Sequence, residues 1–326
     1  MDVRYIGATI EEHPVEDLKA LLDRDDGFVW IDIPQWDGQA EEALEQTLGA
    51  HQLEIRDCVE RSHVPKLRAY PQHLFAILHA PEPGDPGHVH LVELDLLIGF
   101  RFLVSVHGPL GDGVPLDAAL RETEAVAGKI HDGRFSPKTP AELAHALVSG
   151  LLLRLEGYVS NLANQIASLE RQVMKGDFKD PEEALERLFK VRHELLTVRT
   201  MAAGSREVLM RLTSLSAFLP EQVRPFIEDL VDRFDRARNI CDSEKEFLQG
   251  VVDFYQSKTS TKMNVAMERL ALISALVLPV TAVASIYGMN IIVNRQTDAL
   301  HIAGVVGSMA LVAIVMLRWA RRHGWW

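Results

Sequence analysis

The stretch that decides the fold is LALISALVLPVTAVASIYGMN, residues 270–290. It contains no Asp, Glu, Lys or Arg, and the charge-free run continues to Asn294. A second charge-free run follows at residues 299–317. A helix needs about 20 mainly apolar residues to cross a bilayer core. The sequence therefore predicts two transmembrane helices, at about 270–289 and 299–318, in preference to two buried helices of a soluble core.

Basic residues flank both runs on what must then be one side of the membrane. They are Lys258, Lys262 and Arg269 before the first run and Arg318, Arg321 and Arg322 after the second. The loop between the runs holds only Arg295 against Asp298. Because cytoplasmic flanks carry the excess of Lys and Arg, we expect a multi-pass protein of the plasma (inner) membrane with both termini in the cytoplasm.

The composition of the remaining chain excludes several classes of protein. The formal net charge of the 326 residues is −12, which argues against a nucleic-acid partner, because such partners need a basic surface. An acidic surface concentrates cations instead. The two cysteines, Cys58 and Cys241, have no CxxC spacing. No phosphate-binding glycine loop and no nucleophile with a partner base stand out, so we expect no enzyme and no bound cofactor.

Periodicity divides the chain into three predicted parts: an α/β domain at 1–135, a bundle of long helices with a stalk at 136–268, and the membrane hairpin at 269–326. In the first part, strands are predicted at 4–10, 28–33, 74–79, 90–100 and 102–107, and helices at 15–23 and 40–50. Long helices are predicted at 141–176 and 181–215. A third begins between Pro220 and Pro225 and continues as a stalk into the first apolar run.

One seam of this last helix is small or polar, although it enters the membrane. Steps of three and four residues connect Asp253, Ser257, Ser260, Asn264, Met267, Ala271, Ser274, Leu278, Thr281 and Ser285. Polar groups inside a membrane usually face a cavity or a partner helix. The seam therefore indicates either a water-filled axis or close helix packing, and the spacing alone does not separate the two.

The end of the first apolar run carries a family resemblance. Tyr287-Gly288-Met289-Asn290 resembles the signature of the CorA metal-ion transporter family. The context matches as well, with Asp253-Phe254-Tyr255, Asn264 before Met267, Leu278-Pro279 before Thr281, and a short loop, a second helix and a basic tail after the motif. The resemblance spans the whole layout, but its motifs lie between about 253 and 290.

This resemblance implies a homopentamer with an α+β cytosolic funnel domain, a long stalk helix and two C-terminal transmembrane helices. It implies a selectivity filter at Gly288, Met289 and Asn290. Pore-lining positions are implied at Asn264, Met267, Leu270 and Thr281, beside Ser274 and Leu278 of the seam. Regulatory metal positions are implied at Asp253 and Asp229.

The expected function is a divalent cation channel that admits Mg2+, and also Co2+ or Ni2+, driven by the membrane potential and closed by cytosolic Mg2+. Five Asn290 side chains could hold a hydrated Mg2+ through its waters; a helix C-cap is the alternative role for this residue. Zn2+ transport by the same fold is the nearest rival, and a membrane-tethered scaffold without flux is the second. Two features depart from the family: the outer loop 291–298, and Glu268, where the family often has Lys.

Overall fold

The computed structural model describes residues 1–111, 113–175, 181–214, 223–288 and 299–322. The chain divides into two compact units, Met1–Val251 and Val252–Trp326. The predicted division into three parts, with boundaries at 135 and 268, remains a prediction.

A seven-stranded sheet organises the first unit. Its strands are β1 (Asp2–Ile6), β2 (Ile10–His13), β3 (Phe28–Ile33), β4 (Lys66–Ala69), β5 (His73–Pro83), β6 (Val89–Gly99) and β7 (Phe102–His107). The strand order is β2-β1-β3-β7-β6-β5-β4. Only the pairing of β3 with β7 is parallel, and it joins the two antiparallel halves of the sheet.

Both faces of the sheet are covered, which explains why every residue of the central strands β3 and β7 is buried. On one face, Ile31 and Val104 pack with Ile55 and Cys58 of the short helix α3 (Gln52–Val59) and with residues of α1 (Leu18–Leu22) and α2 (Gly38–Glu42). On the other face lie α4 (Leu116–His131) and α5 (Pro140–Lys175).

Long helices form the rest of the described chain. They are α5, α6 (Pro181–Ser214), α7 (Arg224–Gly288) and α8 (Ala299–Arg322). The residues of α5 that are buried recur every three or four positions from Leu143 to Val173, because one stripe of a helix of 3.6 residues per turn faces its neighbours. Helix α7 is continuous over 65 residues and passes through Pro279.

Two helices in the described chain are long and apolar enough to cross a membrane. They are α7 and the portion Ile302–Arg322 of α8, and no residue of the most apolar segment of either is buried. A core helix of a soluble protein would have this segment buried. The predicted fold class is confirmed in its main features: an α+β domain, a long helix, and two C-terminal helices of membrane-spanning character.

Several elements differ from the predictions. Strands 28–33 and 102–107 are confirmed to the residue, and β5 and β6 differ from their predictions at their ends. The predicted strand 4–10 is instead the hairpin of β1 and β2. The predicted helix 40–50 begins at Gly38 and continues through a π-helical turn at Ala43–Thr47. The elements β4, α3 and α4 were not predicted, and β4 is an edge strand whose sequence KLRA lacks an apolar alternation.

Candidate functional site

The predicted pore-lining residues share one face of α7. Asn264, Met267, Leu270, Ser274, Leu278 and Thr281 all have exposed side chains within this unbroken helix. The apolar members are among the most exposed large side chains of the chain, at 54% for Met267, 64% for Leu270 and 67% for Leu278. Apolar groups with this exposure need either lipid or another copy of the helix against them.

A second stripe of α7 is partly covered. It consists of Leu272, Leu276, Pro279, Val280 and Val283. At 3.6 residues per turn, this stripe lies on the side of the helix opposite to Leu270 and Ser274. The single chain therefore already shields one side of its membrane segment and leaves the predicted pore-lining side open.

Helix α8 also has one shielded stripe. Its partly covered or buried residues recur at helical spacing as Val305, Met309, Val312, Ala313, Met316, Leu317 and Ala320. One shielded stripe on each helix is the pattern that two helices of a hairpin produce when each covers the other along one side. The shielded stripes were not predicted from the sequence, because every position in these runs is apolar or small and the composition does not distinguish the sides.

Two hydroxyl groups inside the membrane-spanning segments donate to backbone carbonyls of their own helix. The Thr281 hydroxyl donates to the carbonyl of Val277, and the Ser308 hydroxyl donates to the carbonyl of Val305 at 2.8 Å. Such bonds are common where a helix lacks water. They leave the lone pairs of Thr281 available as acceptors, which is the character that a hydrated cation requires.

The predicted filter lies only partly within the described chain. Gly288 is the last residue of α7. Met289 and Asn290 lie outside the described residues, so the filter assignment remains a prediction. Among the described residues, a side chain added at Gly288 would meet no neighbour within 4 Å.

The two predicted regulatory carboxylates lie on α7, 24 positions apart in the sequence, and both side chains are exposed. Within the described ranges, no group of three or more His, Cys, Asp or Glu side chains is arranged to hold a metal ion. A metal site at Asp253 or Asp229 therefore needs ligands from water or from another chain. Neither carboxylate brings its own complete ligand set.

A histidine near Asp229 was missed by the sequence analysis. The ring of His145 on α5 lies 5.0 Å from the ring of Phe226, centroid to centroid, and Asp229 is about one turn further along α7. Burial lowers the pKa of His145, and the negative charge of Asp229 partly opposes that shift. No sequence signal connects these residues, because they are 84 positions apart and only helix packing brings them together.

Comparison with known proteins decides the family. The family model for CorA-like Mg2+ transporter proteins matches residues 25–322, which is most of the chain. The chain belongs to this family. The resemblance noted at Tyr287-Gly288-Met289-Asn290 is thereby confirmed at the level of the CorA family, and the match includes the α+β domain as well as the hairpin.

Individual CorA relatives are distant but cover the chain well. YfjQ of Bacillus subtilis is 24% identical over 308 residues, covering 92% of this chain and 91% of its own length. The cobalt/magnesium transport protein CorA of Thermotoga maritima is 21% identical over 283 residues, covering 85% and 77%. The solved CorA magnesium transporter of Methanocaldococcus jannaschii superposes with a TM-score of 0.81 at 18% identity, covering 100% of this chain and 98% of the other.

These comparisons determine the general activity. This CorA-family chain is a membrane transporter of divalent metal ions, and it is not an enzyme. The structural likeness at 18% identity shows the shared fold and no more.

Proposed function

We propose that five copies of this chain form a channel in the plasma membrane that admits Mg2+ to the cytoplasm. The observation that carries the proposal is the asymmetry of α7: its small and polar stripe is exposed, and the opposite stripe is partly covered within the chain. In a ring of copies, the exposed stripes would face a common axis. Polar groups at membrane depth are expensive unless they face such a cavity.

Oxygen chemistry favours Mg2+ over Zn2+ as the transported ion. The stripe from Asp253 to Ser285 offers carboxylate, hydroxyl and amide oxygens and contains no histidine or cysteine, which are the ligands that Zn2+ prefers. Mg2+ keeps several of its waters and is bound through them. A ring of Asn290 side chains after Gly288 and Met289 would act as the filter by holding the hydrated ion.

The membrane potential is a sufficient driving force. An elementary charge that crosses the membrane gains about 2.3 kcal/mol per 100 mV, so a divalent cation that enters a negative interior gains about 4.6 kcal/mol at about 100 mV. That corresponds to accumulation of about a thousandfold, since 1.4 kcal/mol is a factor of ten. The excess of Lys and Arg on the flanks of the two membrane-spanning helices supports a cytoplasmic location for both termini and for the first unit.

Uptake into liposomes tests the transport proposal. Purified protein should admit Mg2+ when the interior is made negative, and Asn290→Ala should abolish that flux while leaving the protein folded and oligomeric. Uptake of Zn2+ with no uptake of Mg2+ would assign the zinc-transporting activity instead. Absence of both fluxes would leave the membrane-tethered scaffold. Chemical cross-linking of the same liposomes should give a ladder that ends at five chains.

Regulation by internal Mg2+ is the second part of the proposal. Asp253 carboxylates brought together in a ring would repel one another, and a cation between chains would relieve that repulsion and favour the closed state. Asp253→Ala should therefore need more internal Mg2+ to close, and Asp229→Ala should act in the same direction. If both variants close at the parental Mg2+ concentration, these residues are not the sensor.

A further inference from the structure

Two histidines meet on the hairpin that connects β5 and β6. His88 lies in the turn and is exposed, and His90 is the second residue of β6 and is half-buried. Their ring centroids are 4.8 Å apart, and the ring planes are nearly perpendicular, at 84°. Because the two rings are in contact, both imidazoles lie on the same side of the hairpin.

Gly84 makes room for this pair. A Cβ added at Gly84 would lie 2.8 Å from Nε2 of His90 and 3.0 Å from Cδ2 of His88. Both rings therefore lie close to the backbone of Gly84, which has no side chain. Gly84 does not have a positive φ, so the space that it leaves, and not its backbone conformation, is what a larger residue would remove.

The turn that carries the histidines is held in place. The Gly84 N–H donates to the carbonyl of His88 at 3.2 Å, and the His88 N–H donates to the carbonyl of Asp85 at 2.7 Å. The Gly87 N–H donates to Oε1 of the buried Glu194 on α6 at 2.9 Å. These bonds fix the backbone on both sides of His88 before any ligand binds, which lowers the entropy cost of binding.

A further contact fixes the position of Glu194, which holds the turn. The Tyr158 hydroxyl on α5 donates to Oε2 of Glu194 at 2.9 Å. Burial, followed by this bond to Glu194, raises the pKa of Tyr158, so the phenol keeps its proton and remains a donor. The hairpin is thus tied through one carboxylate to two long helices of the first unit.

We propose that His88 and His90 chelate one divalent cation of the class of Ni2+, Co2+ or Zn2+, at a cytosolic site separate from the proposed transport pathway. Neutral imidazole nitrogens suit these ions, whereas Mg2+ prefers oxygen ligands. The two rings supply two ligands and water completes the coordination, since no group of three protein ligands occurs among the described residues. The site therefore distinguishes these cations from Mg2+.

Three other histidines of the sheet are already engaged with partners in the interior. His73 contacts Glu54 at 2.7 Å, His79 contacts the Ser62 carbonyl at 2.7 Å, and His107 contacts Asp32 at 3.1 Å, all in the interior. His131 on α4 is exposed, at 84% of its side chain. It provides a control for binding to a single surface imidazole.

Calorimetric titration of the untagged full-length protein in detergent with Ni2+, in the presence of a large excess of Mg2+, tests the proposal. We expect one Ni2+ per chain, and we expect His88→Ala and His90→Ala each to remove that binding. Gly84→Ala keeps both ligands but crowds them, and it should weaken binding about tenfold, as changes next to a metal ligand commonly do. His131→Ala should have no effect.

Two outcomes overturn the proposal. One is Ni2+ binding that survives either single histidine substitution or is absent from the parent protein. The other is binding that disappears in Asn290→Ala, because it would then belong to the pore. The measurement does not depend on transport, so a failed flux assay and a failed hairpin site are distinguishable. Each variant should retain the parental thermal unfolding midpoint.

Discussion

The two compact units differ in where their charged and apolar side chains lie. In Met1–Val251, charged groups enter the interior and find partners there: the side chain of Arg154 is 7% exposed and contacts Glu82 and Glu122. In Val252–Trp326, apolar groups lie on the outside, as with Leu278 at 67% exposure. The first unit pairs the charges of Arg154, Glu82 and Glu122 inside the fold, and the second unit leaves its apolar surface to its surroundings.

This difference shows which unit can both cover its apolar groups and pair its buried charges as a single chain in water. A buried charge is tolerated only when it is paired and hydrogen-bonded, and the first unit meets that condition at Arg154. An exposed apolar helix in water costs about 25 cal/mol for each Å² that it leaves uncovered. Lipid around the helices removes that cost. The second unit is therefore suited to a membrane and not to water.

The largest effect should come from breaking the ion pairs in the first unit. Arg154 also donates to the carbonyls of Pro81 at 3.0 Å and Ala118 at 2.8 Å. Arg154→Ala removes the cation that Arg154 supplies to the buried Glu122, whereas Glu82 keeps Arg121 at 3.3 Å. Breaking a buried pair in this way costs about 3–5 kcal/mol. Urea unfolding followed by circular dichroism should show this loss in the free energy of unfolding.

Arg134→Ala is the matched control for that experiment. Arg134 pairs with Asp132 on the surface, where both side chains are about half or more exposed. Exposed pairs contribute little because solvent screens them, so the unfolding curve should not move. Equal destabilisation by the two substitutions would contradict the view that the interior of the first unit depends on its paired charges.

One buried carboxyl in the same unit has no such partner, and it should make stability depend on pH. Asp95 on β6 is fully buried, and neither of its carboxylate oxygens has a hydrogen-bond partner. Burial raises its pKa, as does the charge of Glu93 on the same strand; Cys58 and Asp57 of α3 also face it. The folded protein therefore holds a proton on Asp95 that the unfolded chain releases above its pKa of about 3.9.

The direction in which stability changes with pH follows from this difference in bound protons. Because the folded state binds more protons, stability should fall as pH rises from about 4 through the raised pKa, by at most about 1.4 kcal/mol per pH unit. Asp95→Asn should remove that slope, because an amide does not titrate, so the variant should lose less stability than the parent between pH 5 and pH 8. Unfolding midpoints measured from pH 5 to pH 8 check this, and an unchanged slope in the variant would contradict it.

The sequence allowed the fold to be predicted where local pattern and burial agree. Strands 28–33 and 102–107 are apolar runs with turn residues near both ends, and the structure has them at those bounds. The two membrane-spanning helices were predictable because a helix that crosses a bilayer needs about 20 mainly apolar residues without charge. The edge strand β4 was not predictable, since its residues are held by pairing with β5 and not by their own pattern.

The candidate site could be predicted only as far as motifs extend. The family signature indicated α7 and its polar seam, but the shielded stripe at Leu272 and Leu276 required the structure. The contacts of Arg154 with Glu82 and of His145 with Phe226 connect positions 72 and 81 residues apart. Sequence spacing carries no information about such pairs, because packing of helices on the sheet creates them.

The smallest effect tests whether the two stripes of α7 have different roles. Met267 lies on the exposed stripe and Leu272 on the shielded one, and both are apolar positions near the start of the membrane segment. If Met267 side chains from several chains form an apolar constriction, Met267→Ser should hydrate it and ease passage, because such constrictions close by dewetting. We expect residual Mg2+ flux at high internal Mg2+ to rise about tenfold, equivalent to about 1.4 kcal/mol. Leu272→Ser makes a comparable change on the opposite side and should leave that flux unchanged. Equal leakage from both variants would mean that the stripes do not distinguish a pore face, whereas leakage from Leu272→Ser alone would put the axis on the shielded side.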